Sequence, residues 1–93
     1  MKMGNENTVS SQIRSFIVRT FAAARKQTID DRTPLLESGI IDSLGMLDVV
    51  TFLEQTFGIK VEDEELSPEN FANISCISSL IERKKAGIEV SAG

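Results

Sequence analysis

Ser43 is the residue whose type and surroundings most clearly suggest chemistry. It follows Asp42 and precedes Leu44, at a point where a loop is expected to lead into a helix. Asp and Ser are both common N-caps, so capping alone would explain these two residues. A hydrolase in which Asp42 activates Ser43 is disfavoured, because neighbours on one helical turn make a poor base and nucleophile pair and no oxyanion motif is recognisable.

The rest of the sequence lacks the residues that usually assist a nucleophile. Histidine is absent, which removes the commonest general base and transition-metal ligand. Cys76 is the only cysteine, so paired-cysteine zinc, redox and disulfide patterns are excluded; we expect it to be a small buried residue on a helix. The acidic run 62–65 lacks the spaced ligands and central glycine of an EF-hand. These absences weaken most enzyme hypotheses, and we predict no metal site.

Size and charge limit the classes of partner. The 93 residues predict one domain spanning 1–93, with a core of about residues 9–86 and flexible ends. Residues 42–70 carry a net charge of −7, against +2 for residues 1–41 and +1 for residues 71–93. An acidic central third argues against nucleic acid and anionic membrane, and favours protein partners with a basic face.

The sequence has no feature that would direct it to a membrane or to secretion. No apolar run approaches the ~18–20 residues that span a bilayer, and the first residues lack a basic start followed by an apolar stretch. We therefore expect a cytoplasmic protein, and we expect it to be a monomer.

Apolar spacing predicts two long helices in the first two thirds of the chain. The first is expected from about Ser10 to Lys26, with one buried stripe at three-and-four spacing. The second should begin at Asp42 or Ser43, which are good N-caps, and end at Phe57, because Gly58 suits the position after a helix.

Two further helices are predicted towards the end of the chain. Ser67 as a cap and Pro68 at the first helical position indicate the start of a short third helix. A last helix follows and ends in the basic residues 83–85, which match the helix dipole. Its inward stripe consists of Ile77, Leu80 and Ile81.

The segment 27–42 is long for a connection between helices in a bundle, so it should be packed and have a purpose. Pro34 prevents helical continuation and Gly39 supplies a bend. The predicted apolar anchors of this loop are Leu35, Leu36, Ile40 and Ile41. Together, these patterns predict an all-α four-helix bundle of three longer helices and one short helix, with a long loop between the first and second.

The second helix is predicted to have two different faces at about 100° per residue. The core face consists of Met46, Val49, Val50, Leu53 and Phe57. The other face is mixed apolar and acidic, and it consists of Leu44, Leu47 and Thr51 among Asp48 and Glu54. Single exposed leucines are common on protein surfaces, so this second face by itself is weak support for a function.

The stretch from Leu35 to Leu44, LLESGIIDSL, resembles the modification site of acyl and peptidyl carrier proteins. The three residues Asp-Ser-Leu are a weak match alone. They become specific together with the helix over 44–57, the following FGIKV at 57–61, Leu66, and ENF at 69–71. The similarity extends over about residues 9–85, in the same order of helices, and implies a bundle of the acyl-carrier type.

This resemblance implies a covalent cofactor. In these carriers the serine that matches Ser43 is esterified to a 4′-phosphopantetheine arm, donated from coenzyme A by a separate magnesium-dependent phosphopantetheinyl transferase. The thiol of the arm, and not Cys76, carries acyl or aminoacyl groups as thioesters. The activating base belongs to the transferase, which agrees with the missing histidine. A phosphodiester at a helix start is favoured by about 0.3–1 kcal/mol.

The mixed face of the second helix would then be a docking surface for partner enzymes. We predict that partners contact Asp42, Leu44, Leu47, Asp48, Thr51 and Glu54. Related carriers often have an acid two positions after the serine, where this chain has Gly45. We expect this glycine to loosen the first turn and to remove one acidic contact for general fatty-acid enzymes.

The leading hypothesis is a stand-alone acyl carrier protein, not itself an enzyme, that carries intermediates between enzymes of fatty-acid, polyketide or nonribosomal-peptide-type biosynthesis. Its partners would be the transferase, an acyl- or aminoacyl-loading ligase and downstream enzymes. The choice between acyl and aminoacyl cargo is left open by these residues. The rival hypothesis is a small acidic helical adaptor that binds a basic partner without covalent modification, with Ser43 as a mere cap.

Overall fold

The computed structural model describes residues 8–85, and within that range it contains helices and no strand. The four α-helices are α1 (Val9–Thr20), α2 (Ala22–Arg25), α3 (Ser43–Phe57) and α4 (Ile74–Lys85), and a 3₁₀ helix spans Asp63–Glu65. The predicted all-α bundle of three longer helices and one short one, with a long loop before the serine, is confirmed.

The core is built from one apolar stripe of each long helix together with the loop. Helix α1 packs most closely against α4, as expected for helices that each bury one face. Of the predicted core face of α3, Val49 and Leu53 are fully buried, while Met46, Val50 and Phe57 are half-buried at its edge. The other fully buried large side chains are Ile13, Ile17, Leu35, Ile74, Ile77, Leu80 and Ile81.

The first helix is shorter than predicted, because the chain leaves helical geometry at Phe21. This residue has extended torsions, φ −113° and ψ 117°, and the short helix α2 restarts after it. The guanidinium of Arg25 donates to the carbonyl oxygens of Val18 at 2.9 Å and Arg19 at 3.0 Å. These bonds satisfy carbonyl groups at the end of α1, which would otherwise lack a partner.

The short helix is also not where the sequence predicts it. Ser67 starts only one hydrogen-bonded turn, in which its carbonyl accepts from the N–H groups of Asn70 and Phe71. After this turn, the carbonyl of Ala72 accepts from the N–H of Leu35 at 2.8 Å and so ties this segment to the loop. Helix α4 then begins under a cap from Asn73, whose side chain accepts from Cys76 N–H at 2.8 Å. After one turn, the chain that follows Ser67 therefore forms a hydrogen bond to the loop instead of continuing as a helix.

The loop before α3 is anchored in the core by its apolar residues, as predicted. Leu35, Ile40 and Ile41 are buried, whereas Leu36 is half-buried. Gly39 has a positive φ of 83°, which a residue with a side chain rarely adopts. The loop thus reaches the start of α3 along a defined path.

A hydrogen-bonded turn fixes the earlier part of the loop. Asp30 accepts from the backbone N–H of Arg32 at 2.9 Å and from the hydroxyl of Thr33 at 3.1 Å. These bonds, first that of Arg32, lower the pKa of Asp30 below its ordinary value. The carbonyl of Asp31 then accepts from Ser75 N–H at 2.9 Å, which joins the loop to α4.

Within the acidic run 62–65, Asp63–Glu65 forms the 3₁₀ helix, and Glu65 ties it to α4. Lys84 Nζ lies 2.8 Å from Glu65 Oε1, and both side chains are largely covered. Burial raises the pKa of Glu65, but the Glu62 N–H and the Lys84 ammonium lower it by more, so the net pKa lies below the ordinary value.

Glu65→Gln should therefore destabilise the fold in a pH-dependent way. A carboxylate with a lowered pKa in the folded state contributes stability above its unfolded pKa, and this contribution is lost as the pH falls through the folded pKa. We expect a loss of about 1 kcal/mol in free energy of unfolding at neutral pH, which becomes smaller at acid pH as the carboxylate of Glu65 is protonated. Urea unfolding at both pH values measures it, with the exposed Glu64→Gln as control. A loss of equal size at both pH values would contradict the assignment.

Candidate functional site

Ser43 is the first residue of α3, and its side chain is exposed. Asp42 precedes it as the N-cap, with extended torsions of φ −100° and ψ −172°. The carboxylate of Asp42 accepts from Gly45 N–H at 2.7 Å, and its carbonyl accepts from Met46 N–H at 2.8 Å. The predicted helix start is confirmed, and the serine hydroxyl lies at the positive end of a 15-residue helix.

The far end of α3 is also formed as predicted. Gly58 adopts the left-handed conformation, φ 68° and ψ 31°, and its N–H donates to the Glu54 carbonyl at 3.1 Å. The ammonium of Lys85 donates to the Phe57 carbonyl at 3.3 Å, so α4 supplies a charge at the negative end of α3. Both ends of the helix that carries Ser43 are therefore held by defined hydrogen bonds.

Leu44 and Leu47 are strongly exposed, at 75% and 53% of their surface, and they are the exposed large hydrophobic residues of the described chain. Asp48 is exposed beside them. Large apolar side chains on a surface with an acid nearby resemble the centre and edge of a protein interface. The structure thus brings these three predicted contact residues together near Ser43.

The remaining predicted contact residues also form bonds within the chain. The hydroxyl of Thr51 donates to the Leu47 carbonyl at 3.1 Å, although the residue is exposed. Glu54 is half-buried, and its carboxylate accepts from Val61 N–H at 2.9 Å. Glu54 therefore holds the segment after α3, a task that sequence spacing did not predict, and its contact with partners stays a prediction.

Gly45 has a different role from the one expected. It is buried, and a β-carbon placed on it would lie 2.7 Å from Cε1 of Phe21 and 3.2 Å from Oδ1 of Asp42. The residue is therefore not a loose point in an exposed turn: its N–H is bound to Asp42 and the ring of Phe21 covers it. A side chain at this position would require the ring of Phe21 to move.

Phe21 belongs to a row of aromatic rings between α1 and α3. Its ring meets Phe16 edge to face at 6.3 Å between centroids, and Phe16 stacks on Phe52 at 4.2 Å. Phe57 extends the row, with its ring edge to face with Phe52 at 6.1 Å. The helix predicted over residues 10–26 contains both Phe16 and Phe21, so the apolar spacing did not predict this arrangement. The signal available in the sequence was a glycine inside the first turn of an otherwise regular helix.

Residues 8–85 contain no group of three or more His, Cys, Asp or Glu placed to hold a metal ion. Its helices are too short or too polar to cross a membrane. Cys76 lies half-buried on α4 rather than fully buried.

Comparisons with known proteins identify the family. A protein-family model described as a phosphopantetheine attachment site matches residues 12–83. A probable acyl carrier protein, PigG of a Serratia species, is 33% identical over 78 residues, which are 84% of this chain and 90% of the relative. An acyl carrier protein homolog of Mycoplasmopsis pulmonis is 36% identical over 72 residues, 77% of this chain and 94% of the relative.

A solved structure is also similar in sequence and fold. One chain of a structure titled "Crystal structure of FAD-dependent dehydrogenase" is 35% identical, with a TM-score of 0.68; the match covers 74% of this chain and 97% of that chain. The protein belongs to the phosphopantetheine-binding family of carrier proteins. Its cofactor is accordingly a covalently attached 4′-phosphopantetheine, and the role of the family is that of a carrier, not of a catalyst.

The residues at the start of α3 fit this cofactor. The Ser43 hydroxyl is exposed, so a long arm can leave the surface without displacing the core. The helix start offers positive charge to a phosphodiester. The Asp42 carboxylate lies nearby and is bound to a backbone N–H, which balances part of its charge.

Asp42→Ala should weaken the helix start without removing the serine. The lost bond to Gly45 N–H is expected to reduce the free energy of unfolding by about 1 kcal/mol, the usual cost of removing an N-cap. Asp42→Asn keeps a cap oxygen and should lose much less. Urea unfolding measures the loss, and Asp48→Ala, an exposed acid on the same helix, is the control. Equal stability of Asp42→Ala and the control would show that the cap contributes nothing.

Proposed function

We propose that Ser43 carries the 4′-phosphopantetheine arm, and that the protein carries acyl or aminoacyl thioesters on it between biosynthetic enzymes. The observation that supports Ser43 most directly is its position: it is exposed, and it is the first residue of α3 inside the region that matches the family. Fatty-acid, polyketide and nonribosomal-peptide-type biosynthesis all use a carrier of this kind.

The modification is a transfer from coenzyme A. The Ser43 hydroxyl oxygen attacks the phosphorus that bears pantetheine, a new P–O bond forms, and the diphosphate P–O bond breaks. Adenosine 3′,5′-bisphosphate leaves, and the hydroxyl proton passes to a base of the transferase. This chain has no histidine to act as such a base, so the task of the chain is to present the hydroxyl.

Presentation depends on the α3 start. The N–H of Gly45 is already bound to Asp42, so an incoming phosphate would meet the N–H groups that precede it in the first turn. Their attraction for a negative charge at an exposed site amounts to about 0.3–1 kcal/mol. Asp42 repels the phosphate, and its contribution is therefore to the shape of the turn and to recognition by a basic transferase surface.

Partner enzymes would dock on the face defined by Leu44, Leu47 and Asp48. The two leucines are exposed on the first turns of α3, next to the modified serine. The net charge of −7 over residues 42–70 favours partners with basic surfaces and speeds their encounter. A monomer in the cytoplasm fits this role, because the carrier has to meet several enzymes in turn.

The similar solved structure suggests one such enzyme. Its title names a FAD-dependent dehydrogenase. The match covers 97% of the similar chain, so that chain is itself about the size of a carrier domain. We therefore include a FAD-dependent dehydrogenase that acts on the thioester-bound group among the proposed partners. Such a reaction would move two electrons and two protons from the bound group to the flavin.

The alternative function is a small acidic adaptor that uses the same face without covalent modification. The exposure of Leu44 and Leu47 agrees with it as well. It differs in what Ser43 does, because in an adaptor the serine would only start α3. Partner binding by an adaptor would be unchanged in Ser43→Ala, and the protein would carry no arm.

Ser43→Ala tests the attachment residue. Incubation with coenzyme A, magnesium and a broad-specificity phosphopantetheinyl transferase should add one phosphopantetheinyl group to the natural protein and none to the variant. Intact-protein mass spectrometry measures the addition. Ser38→Ala is the matched control, since Ser38 is an exposed serine of the adjoining loop. An unmodified natural protein, or modification of Ser43→Ala, would refute the proposal.

The dehydrogenase step can be tested with the holo protein, that is, the protein with its phosphopantetheine arm. The arm is loaded with a range of acyl and aminoacyl groups. With a FAD-dependent dehydrogenase from a carrier-based pathway, at least one loaded form should lose two hydrogens, about 2 Da by mass spectrometry. Leu47→Glu should slow this reaction by roughly tenfold, because it puts a charge into the apolar centre of the docking face. Thr56→Glu, at an exposed position near the other end of α3, is the control. Equal rates in both variants would exclude docking on this face.

A further inference from the structure

The break after α1 has a consequence for the site. No proline or glycine stands at residues 20–22, yet Phe21 leaves helical geometry and separates α1 from α2. Its ring then lies against Phe16 on one side and over Gly45 on the other. Phe21 therefore contacts the turn that contains Ser43, although it lies more than twenty residues earlier in the sequence.

The contact leaves no room for a side chain at position 45. A β-carbon there would lie 2.7 Å from the ring of Phe21, closer than two carbon atoms can approach. The same β-carbon would lie 3.2 Å from Asp42 Oδ1 and from Ile41 Cγ2. Any adjustment that makes room must therefore displace the ring, the cap or the buried end of the loop.

The first turn of α3 is held by two contacts, both at Gly45. Asp42 accepts a hydrogen bond from Gly45 N–H, and the half-buried ring of Phe21 lies against Gly45. Because Ser43 lies between Asp42 and Gly45 in the chain, we expect a movement of either residue to reorient its hydroxyl.

We propose that Phe21 and Gly45 form a size-matched pair that positions Ser43 for phosphopantetheine transfer. Phe21 is in this view a positioning residue: it acts on the serine through the turn and has no contact with coenzyme A. The inference rests on the proposed attachment at Ser43. It also explains why this chain has glycine where related carriers often have an acid.

The test uses Gly45→Ala, Phe21→Ala and the double variant in the transferase reaction, with kcat and KM for the carrier measured separately below the unfolding temperature of all variants. We expect Gly45→Ala to lower kcat by roughly tenfold with little change in KM, because misplacement of a reacting group costs rate rather than binding. The double variant should recover most of that loss, as coupled neighbours do. Phe21→Leu should stay close to the natural protein.

Gly58→Ala is the matched control for stability. Gly58 has a positive φ of 68° at the far end of α3 with no atom near its missing β-carbon, so the variant is strained but leaves the site alone. It should unfold at a lower temperature and keep the natural kcat and KM. If Gly45→Ala does not fold, Phe21→Ala alone tests the positioning role. We expect it to lower kcat by roughly threefold or more.

Three results would overturn the inference: natural kcat in both folded single variants, equal kcat losses in Gly45→Ala and Gly58→Ala, or losses that simply multiply in the double variant. A natural protein that accepts no phosphopantetheine would instead refute the attachment proposal itself. The two failures are therefore distinguishable in the same assay.

Discussion

The start of α3 depends on one hydrogen bond, from the N–H of Gly45 to the carboxylate of Asp42 at 2.7 Å. It encloses Ser43 in the turn, so the position of the serine follows from the cap. The bond keeps its geometry because the loop that precedes it is packed: Ile41 is buried, and its N–H donates to the Leu35 carbonyl at 3.1 Å. A small core thus serves to place one exposed hydroxyl rather than to enclose a reaction.

The features set by local sequence could be predicted from it. The N-cap at Asp42, the end of α3 at Gly58 and the exposure of Leu44 and Leu47 each follow from neighbouring residues and the helical period. The serine could be recognised because its neighbours and the order of helices resemble a known family. The packing of Leu35 also followed, since a buried anchor was the simplest use of an apolar residue beside Pro34.

The features that depend on contacts between residues distant in sequence could not be predicted. Phe21 ends α1 and lies against Gly45, and no pattern within residues 10–26 encodes that contact. Ser67 and Pro68 carry a strong helix-start signal, but the segment makes one turn and then bonds to the loop. Glu54 was assigned to the docking face by spacing alone, while its carboxylate is bound to Val61. Tertiary packing overrode local preference in each case.

The carrier role requires that the exposed Ser43 bear the arm on which cargo is carried. Intact-protein and fragment mass spectrometry of the protein isolated from its own cells, without added transferase, tests this attachment. We expect a phosphopantetheinyl group on the peptide that contains Ser43, with an acyl or aminoacyl thioester on a fraction of the molecules. An unmodified Ser43 in every molecule, or the group on another residue, would contradict it.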